Sequence, residues 1–123
     1  IVSVEVESHQ QNVPQGTHQW VAGSSPAASG GASMITTPNN RTLIDTGYAA
    51  TSPRPDHQID FAKTGIHHVW ERGLGDGDTN GKDDSLHVGL DGVELATSDR
   101  MTGFNSSWTW SKSTMDTAVA IQM

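Results

Sequence analysis

The sequence predicts an all-β protein on three observations. Turn-forming residues are dense, with 13 glycines among many serines, threonines, asparagines and aspartates, and long windows of helix-forming residues are missing. Residues 1–7 alternate apolar residues with serine and glutamate, which is the period of a strand with one polar face. Residues 66–72 and 85–92 carry residue types that fit a pleated, half-buried surface. We therefore expect an antiparallel β domain.

Residues 65–92 are the centre of this predicted organisation, as a strand, an acidic loop, a second strand and a tight turn. In the second strand Leu86 and Leu90 share one side, because side chains alternate along a strand. Asp91 and Gly92 follow, and both residue types tolerate the positive φ that a two-residue hairpin turn requires. The sequence therefore predicts a hairpin around this dipeptide.

The acidic loop between these strands matches the opening of an EF-hand calcium loop at four positions, Asp76, Asp78, Asn80 and Gly81. Asp84 occupies the ninth position of the template and is an acceptable ligand. His87 stands at the twelfth position, where the template requires a bidentate glutamate, and no helices flank the loop. Two interpretations stay open at this point: a calcium loop on a β-hairpin, or a polar hairpin loop with ordinary turn chemistry.

The composition limits the classes of function. Seven basic residues against 14 acidic ones give a formal net charge of −7, which disfavours nucleic acid as a partner. No apolar run is long enough to cross a bilayer, so no membrane partner is expected. Cysteine is absent, which excludes disulfides and thiolate metal sites. At 123 residues the chain is expected to form one domain, residues 1–123.

Histidines offer a weaker metal hypothesis. His57 lies on the apolar side of a predicted strand, where a hydrogen-bonded core histidine is the favoured interpretation. His67 and His68 are consecutive and point to opposite faces of a strand. One of them is placed to meet His87 across the predicted hairpin, but no third ligand stands in register.

Trp108 and Trp110 form the strongest aromatic cluster in the chain. Residues two apart in a strand share a face, so both indoles are expected to project together. A flat aromatic face suits the C–H face of a sugar ring, and asparagine, aspartate and arginine suit its hydroxyl groups. The alternative is that one or both indoles pack into the core.

Several segments in order carry a resemblance to a known family. The most specific are VWERG, DDSLHVGLDG and SDR followed by WTW, and VEVE stands correctly placed at the start. Over nearly its whole length the chain resembles the β-jelly-roll carbohydrate-binding modules related to families 6 and 35, in the galactose-binding-like superfamily. Such modules accompany extracellular bacterial enzymes that degrade polysaccharides.

The resemblance implies a two-sheet antiparallel β-sandwich without a catalytic centre, stabilised by calcium. In these modules acidic residues of the opening strand help to hold the ion, which maps to Glu5 and Glu7; with the acidic loop, the expected calcium ligands are Glu5, Glu7, Asp76, Asp78, Asn80 and Asp84. The expected sugar-binding residues are Trp108, Trp110, Asn105, Tyr48 and Arg100. The implied partner is an oligosaccharide or polysaccharide, and the implied location is extracellular.

The sequence departs from the family pattern after residue 123, where the family continues into a final strand. Either the polypeptide was cut or truncated there, or another chain supplies the strand. The second possibility makes an alternative function credible, an extracellular structural or filament subunit that assembles by pairing strand edges.

An enzyme is the least favoured class. No G-x-S-x-G elbow, H-E-x-x-H helix or P-loop is present. Glu5 and Glu7 stand two residues apart on one predicted strand, too close on one face to flank a glycosidic bond from opposite sides.

Overall fold

The computed structural model describes residues 1–75, 83–97 and 100–115. Its regular structure is mostly short strands in small antiparallel sheets, which agrees with the all-β prediction. The strands are β1 (Gln11–Val13), β2 (Gln19–Ser24), β3 (Ala32–Thr37), β4 (Arg54–Asp56), β5 (Glu71–Gly73), β6 (Gly89–Leu90), β7 (Val93–Glu94), β8 (Met101–Thr102), β9 (Thr109–Ser111) and β10 (Ser113–Thr114). The helices are α1 (Tyr48–Thr51) and two 3-10 helices, Val6–Ser8 and Ser29–Gly31. Among the described residues, no helix is both long and apolar enough to cross a membrane.

The chain divides into two compact units. The first comprises Ile1–Asn40 and Ala50–Thr64, and the second comprises Arg41–Ala49 and Gly65–Met123. The expectation of one domain over residues 1–123 stays a prediction.

The first unit is built on the β2–β3 hairpin. All six residues of β2 pair with β3 in antiparallel register, from Gln19 opposite Thr37 to Ser24 opposite Ala32. β1 pairs with β4. The indole nitrogen of Trp20 donates a hydrogen bond of 2.9 Å to the carbonyl oxygen of Pro53, so this half-buried tryptophan has a structural partner.

The second unit contains three antiparallel pairs, β5–β9, β6–β7 and β8–β10. Its core centres on Met101, which is fully buried, and Phe104. Partly buried apolar side chains surround these two: Val69, Leu86, Val88 and Leu95. Apolar residues from positions 69 to 104, most of them next to strands, therefore converge on one small cluster.

The prediction of a strand over residues 1–7 is wrong. Val6–Ser8 is a 3-10 helix, and the Ser8 amide donates to the carbonyl oxygen of Glu5. The carbonyl oxygen of Val6 accepts hydrogen bonds from ring nitrogens of His57 and His9, at 3.1 and 3.2 Å. A strand needs a partner for its backbone groups, and here histidine side chains satisfy Val6 in place of a neighbouring strand.

The prediction that residues 66–72 and 85–92 form a hairpin is also wrong. β5, at the end of the first of these segments, pairs with β9. In the second segment, Leu86 and Met101 form an isolated antiparallel bridge, in which each backbone amide donates a hydrogen bond to the carbonyl oxygen of the other residue. The Asp91-Gly92 turn is confirmed: β6 and β7 pair with Leu90 opposite Val93, and φ is 52° at Asp91 and 77° at Gly92.

The prediction of a strand that contains His57 is wrong, because β4 ends at Asp56 and residues 57–63 form no strand. Residues 115–123 alternate weakly, which predicts a last strand, but all of them except Met115 lie outside the described residues.

Candidate functional site

The pairing of β5 with β9 places the aromatic cluster opposite a second set of side chains. Arg72 lies opposite Trp110, flanked by the pairs Glu71–Ser111 and Gly73–Thr109. Opposed residues in an antiparallel pair point to the same face, and the next residues but one point there too. We call this surface the tryptophan face, and its residues are Trp70, Arg72, Leu74, Trp108, Trp110 and Lys112.

The indoles of the tryptophan face are accessible to different extents. Trp110 is 58 % exposed and Trp70 is 51 % exposed, while Trp108 is half-buried. An exposed indole leaves a large apolar surface in water, and exposed apolar patches mark binding sites more often than single exposed side chains do. The face therefore presents two accessible indoles, one from each strand.

Two cations lie against the rings of this face. The guanidinium carbon of Arg72 is 5.3 Å from the centroid of the Trp108 ring. The ammonium nitrogen of Lys112 is 5.1 Å from the centroid of the Trp70 ring. Both distances are in the range of cation–π attraction. These contacts place Trp70 and Trp108, which flank the strands, on the same side as Arg72 and Lys112.

The opposite face of the β5–β9 pair is covered. Ser111 is 7 % exposed, and its hydroxyl group donates to the carbonyl oxygen of Thr102. Gly73 packs so closely on Phe104 that a Cβ at this position would stand 2.7 Å from ring atom Cδ1. Burial on this side leaves the tryptophan face as the accessible side of the pair.

Glu71 lies on the covered side, and burial of its carboxyl group raises its pKa above the ordinary value of 4.5. A raised pKa in the folded state means that the native protein holds this proton at a pH where the unfolded chain has released it. The group's contribution to stability is therefore present in acid and is lost as the pH rises through the folded-state pKa.

We expect Glu71→Gln to raise the melting temperature by a few degrees at neutral pH, because the amide removes a desolvated charge. At about pH 3.5, where glutamate is mostly protonated, the variant and the unaltered protein should melt together. Thermal unfolding, monitored by circular dichroism from about pH 3.5 to neutral pH, measures the melting temperatures of both proteins. Asp60→Asn is the matched control, because the Asp60 side chain is exposed and its substitution removes no desolvated charge. An equal gain in melting temperature at both pH values for Glu71→Gln would contradict the burial of the Glu71 carboxyl group.

Two of the sequence-predicted sugar-binding residues have structural partners. The side-chain oxygen of Asn105 accepts from the Ser107 amide at 2.9 Å and from the Thr109 hydroxyl at 3.3 Å, which shapes the loop leading to Trp108. Arg100 is largely buried, with its Nε 3.3 Å from a carboxylate oxygen of Asp45. Neither side chain belongs to the tryptophan face.

Tyr48, another of the expected sugar-binding residues, has a packing role in the structure. It is 8 % exposed, and its ring stacks on His87 with a centroid distance of 4.2 Å. Its hydroxyl group donates to the carbonyl oxygen of Val88 at 2.7 Å and accepts from the Leu95 amide at 3.0 Å. Tyr48 therefore ties the start of α1 to the chain on either side of the β6–β7 hairpin.

The same geometry bears on the cross-strand histidine hypothesis. His87 has its Nε2 2.8 Å from the carbonyl oxygen of Ile44, and His67 has its Nδ1 2.9 Å from the carbonyl oxygen of Gly65. Each ring nitrogen in these pairs has a backbone partner. The other ring nitrogen of His87, Nδ1, is buried and has no hydrogen-bond partner among the described residues, so the cross-strand histidine hypothesis stays a prediction.

The predicted calcium ligands are only partly placed. Asp76, Asp78 and Asn80 lie outside the described residues. Glu5 accepts a hydrogen bond of 2.7 Å from the Ser29 hydroxyl, and Glu7 and Asp84 are half-buried. Within residues 1–75, 83–97 and 100–115, no group of three histidine, aspartate or glutamate side chains is arranged to hold a metal ion. Calcium binding therefore stays a prediction.

Four residues of the tryptophan face were not predicted from the sequence as site residues: Trp70, Arg72, Leu74 and Lys112. The alternation of Trp70, Arg72 and Leu74 places these three side chains on one side of a strand. Their partner strand was the missing information, because pairing between distant segments is not encoded in a local pattern.

Comparisons with protein-family models, with curated proteins and with solved structures found no match.

Proposed function

We propose that the protein is a non-catalytic carbohydrate-binding module whose ligand stacks on the tryptophan face. The observation that carries the proposal is the pair of accessible indoles, Trp70 and Trp110, on one side of the β5–β9 pair. Flat aromatic surfaces bind the apolar faces of sugar rings, and neighbouring polar groups orient the hydroxyl groups.

The proposal includes the wider setting that the resemblance implies. The domain is an accessory module of an extracellular bacterial polysaccharide-active protein, built as a two-sheet β-sandwich of the jelly-roll type. The described antiparallel pairs are compatible with that architecture. In the filament alternative, Trp108 and Trp110 are expected to be buried in a core or a subunit contact. The 58 % exposure of Trp110 excludes burial of this indole in the core of its own chain, and the oligomeric state in solution tests burial in a subunit contact.

The experiment is a titration of the protein against a panel of soluble polysaccharides, with tryptophan fluorescence and calorimetry as readouts. We expect saturable binding and a change in indole emission, because ligand stacking removes water from exposed rings. Size-exclusion chromatography with light scattering on the same sample separates the alternative: large assemblies that bind no polysaccharide would favour the filament hypothesis.

Calcium stabilisation is a separate prediction. Because an ion that binds only the folded state stabilises it, removal of calcium by a chelator should lower the melting temperature. At a free calcium concentration about 100 times Kd the expected loss is about 2.7 kcal/mol. The test is thermal unfolding with chelator, with added calcium, and with magnesium as the matched control. Identical melting curves in all three would exclude a stabilising calcium site.

A further inference from the structure

We propose, on the basis of the sugar-binding function above, that Asn105 is a positioning residue, which fixes the two accessible indoles relative to each other without contacting the ligand. Trp70 directly precedes β5 and Trp110 is the central residue of β9, so their relative position depends on how these two segments are held together. Asn105 joins the segments through two sets of contacts, one from its backbone and one from its side chain.

The backbone of Asn105 holds the segment that leaves β5. β5 ends at Gly73, and two residues later the Gly75 amide donates a hydrogen bond of 2.9 Å to the carbonyl oxygen of Asn105. The preceding residue, Phe104, is buried and packs closely on Gly73 from the covered side. Residues 104 and 105 are therefore joined to the β5 segment by a core contact and by a backbone hydrogen bond.

The side chain of Asn105 holds the start of β9. Its Oδ1 accepts from the Ser107 amide at 2.9 Å, and this bond closes an Asx turn. Thr109, the first residue of β9, has one hydroxyl proton, which lies between the Ser107 carbonyl oxygen at 2.8 Å and Oδ1 of Asn105 at 3.3 Å. Because a backbone amide donates only to an acceptor, the bond from Ser107 also identifies which atom of the side-chain amide is the oxygen. One exposed side chain thus sets the path of the chain into β9.

A polymer that stacks on both indoles needs them at a fixed separation. If either segment shifts, part of the binding free energy is lost in realigning the rings. Supporting contacts keep the groups of a binding site close to their productive geometry. The loop that Asn105 shapes ends at Thr109, directly before Trp110. Asn105 therefore acts on affinity through the geometry of the β5–β9 pair.

Asn105→Ala removes the side-chain acceptor and keeps the backbone bond to Gly75. The variants are titrated by calorimetry with whichever carbohydrate the unaltered protein binds most tightly among the polysaccharide panel, cellohexaose, xylohexaose and mannohexaose. We expect Asn105→Ala to weaken this binding by about fivefold to tenfold, part of the stacking contribution of one indole. The near-UV circular dichroism of the free variant should also change, because it reports the packing of aromatic side chains.

Asn105→Asp separates positioning from direct contact with the sugar. A carboxylate accepts the same bonds from Ser107 and Thr109, but it lacks the amide protons of Nδ2, for which the described residues supply no hydrogen-bond partner. We expect Asn105→Asp to restore both the affinity and the near-UV spectrum. Asn105→Ser adds no charge and forms the same turn more weakly, so it should recover part of the affinity.

Two further variants serve as controls. Asn12→Ala removes an exposed side-chain amide that donates a 2.8 Å bond to the carbonyl oxygen of Trp20 in the first unit, and its affinity should equal that of the unaltered protein. Thr109→Val removes only the shared hydroxyl group, so it should weaken binding by a smaller factor than Asn105→Ala. Melting temperatures establish that each variant is folded, which is expected for Asn105→Ala because the side chain is exposed.

The outcomes distinguish the two proposals. Equal losses of affinity in Asn105→Ala and Asn105→Asp would overturn the positioning role and assign Asn105 to direct contact with the sugar. Undiminished binding by both variants would also overturn the positioning role, and sugar binding would stand in either case. Absence of binding by the unaltered protein, to the panel and to the three hexaoses, would overturn the sugar-binding function and the positioning role together.

Discussion

Trp110→Ala is expected to weaken polysaccharide binding by about thirtyfold. Trp110 is the most exposed indole of the tryptophan face. It lies opposite Arg72, between the positions of Trp70 and Trp108 along the strand pair. If a bound sugar removes about 80 Å² of this indole from water at about 25 cal/mol per Å², stacking contributes about 2 kcal/mol, or about thirtyfold in Kd. Calorimetric titration against the best ligand of the panel measures the loss directly.

Ile35→Ala is the matched control, because Ile35 has the same 58 % exposure as Trp110 but lies on β3 in the first unit. Its affinity for polysaccharide should equal that of the unaltered protein. Melting temperatures of both variants establish that the fold is intact. Undiminished binding by a folded Trp110→Ala variant would show that the ligand does not stack on this face.

Gly73→Ala is expected to destabilise the second unit by about 1–3 kcal/mol, the usual cost of overfilling a packed core. The new Cβ would lie 2.7 Å from Cδ1 and 2.8 Å from Cε1 of Phe104, whose ring is 7 % exposed and packed beside Met101. The ring cannot retreat without disturbing that core. Chemical denaturation gives the change in the free energy of unfolding, and the midpoint should fall at an unchanged slope.

Gly75→Ala is the control for this substitution, two residues further along the same segment. Its added Cβ meets its nearest neighbours at 3.5 Å, which is ordinary contact, so its effect on stability should be much smaller. In the background Phe104→Ala, the Gly73 substitution should lose most of its cost, because the clashing ring is gone. Equal destabilisation by the Gly73 and Gly75 substitutions would contradict the close packing of Gly73 on Phe104.

Local sequence patterns predicted those features that depend on a few adjacent residues. The Asp91-Gly92 turn is the clearest example, because positive φ at two consecutive positions restricts the choice of residue to a few types. The shared face of Trp108 and Trp110 was predicted from strand alternation in the same way. The expected calcium loop is also a local pattern, but three of its ligands lie outside the described residues.

Predictions from local patterns were wrong where distant residues supplied hydrogen-bond partners that the pattern does not show. Residues 1–7 have the alternation of a strand, yet Val6–Ser8 is a 3-10 helix whose first carbonyl group bonds to two histidines. Tyr48 was among the sugar-binding residues expected from the family resemblance. Its hydroxyl group instead joins Val88 and Leu95, about 40 residues further along the chain.

The sequence by itself therefore determined the strand-rich class, the tight turn before β7 and the common side of Trp108 and Trp110. Only the tertiary structure decided that β5 pairs with β9, which adds Trp70, Arg72 and Lys112 to that side. The physical reason is that alternation specifies which side chains share a face of one strand, whereas the choice of partner strand depends on packing between distant residues. At β5 the contact of Gly73 with Phe104 covers one face, and the tryptophan face is left to solvent.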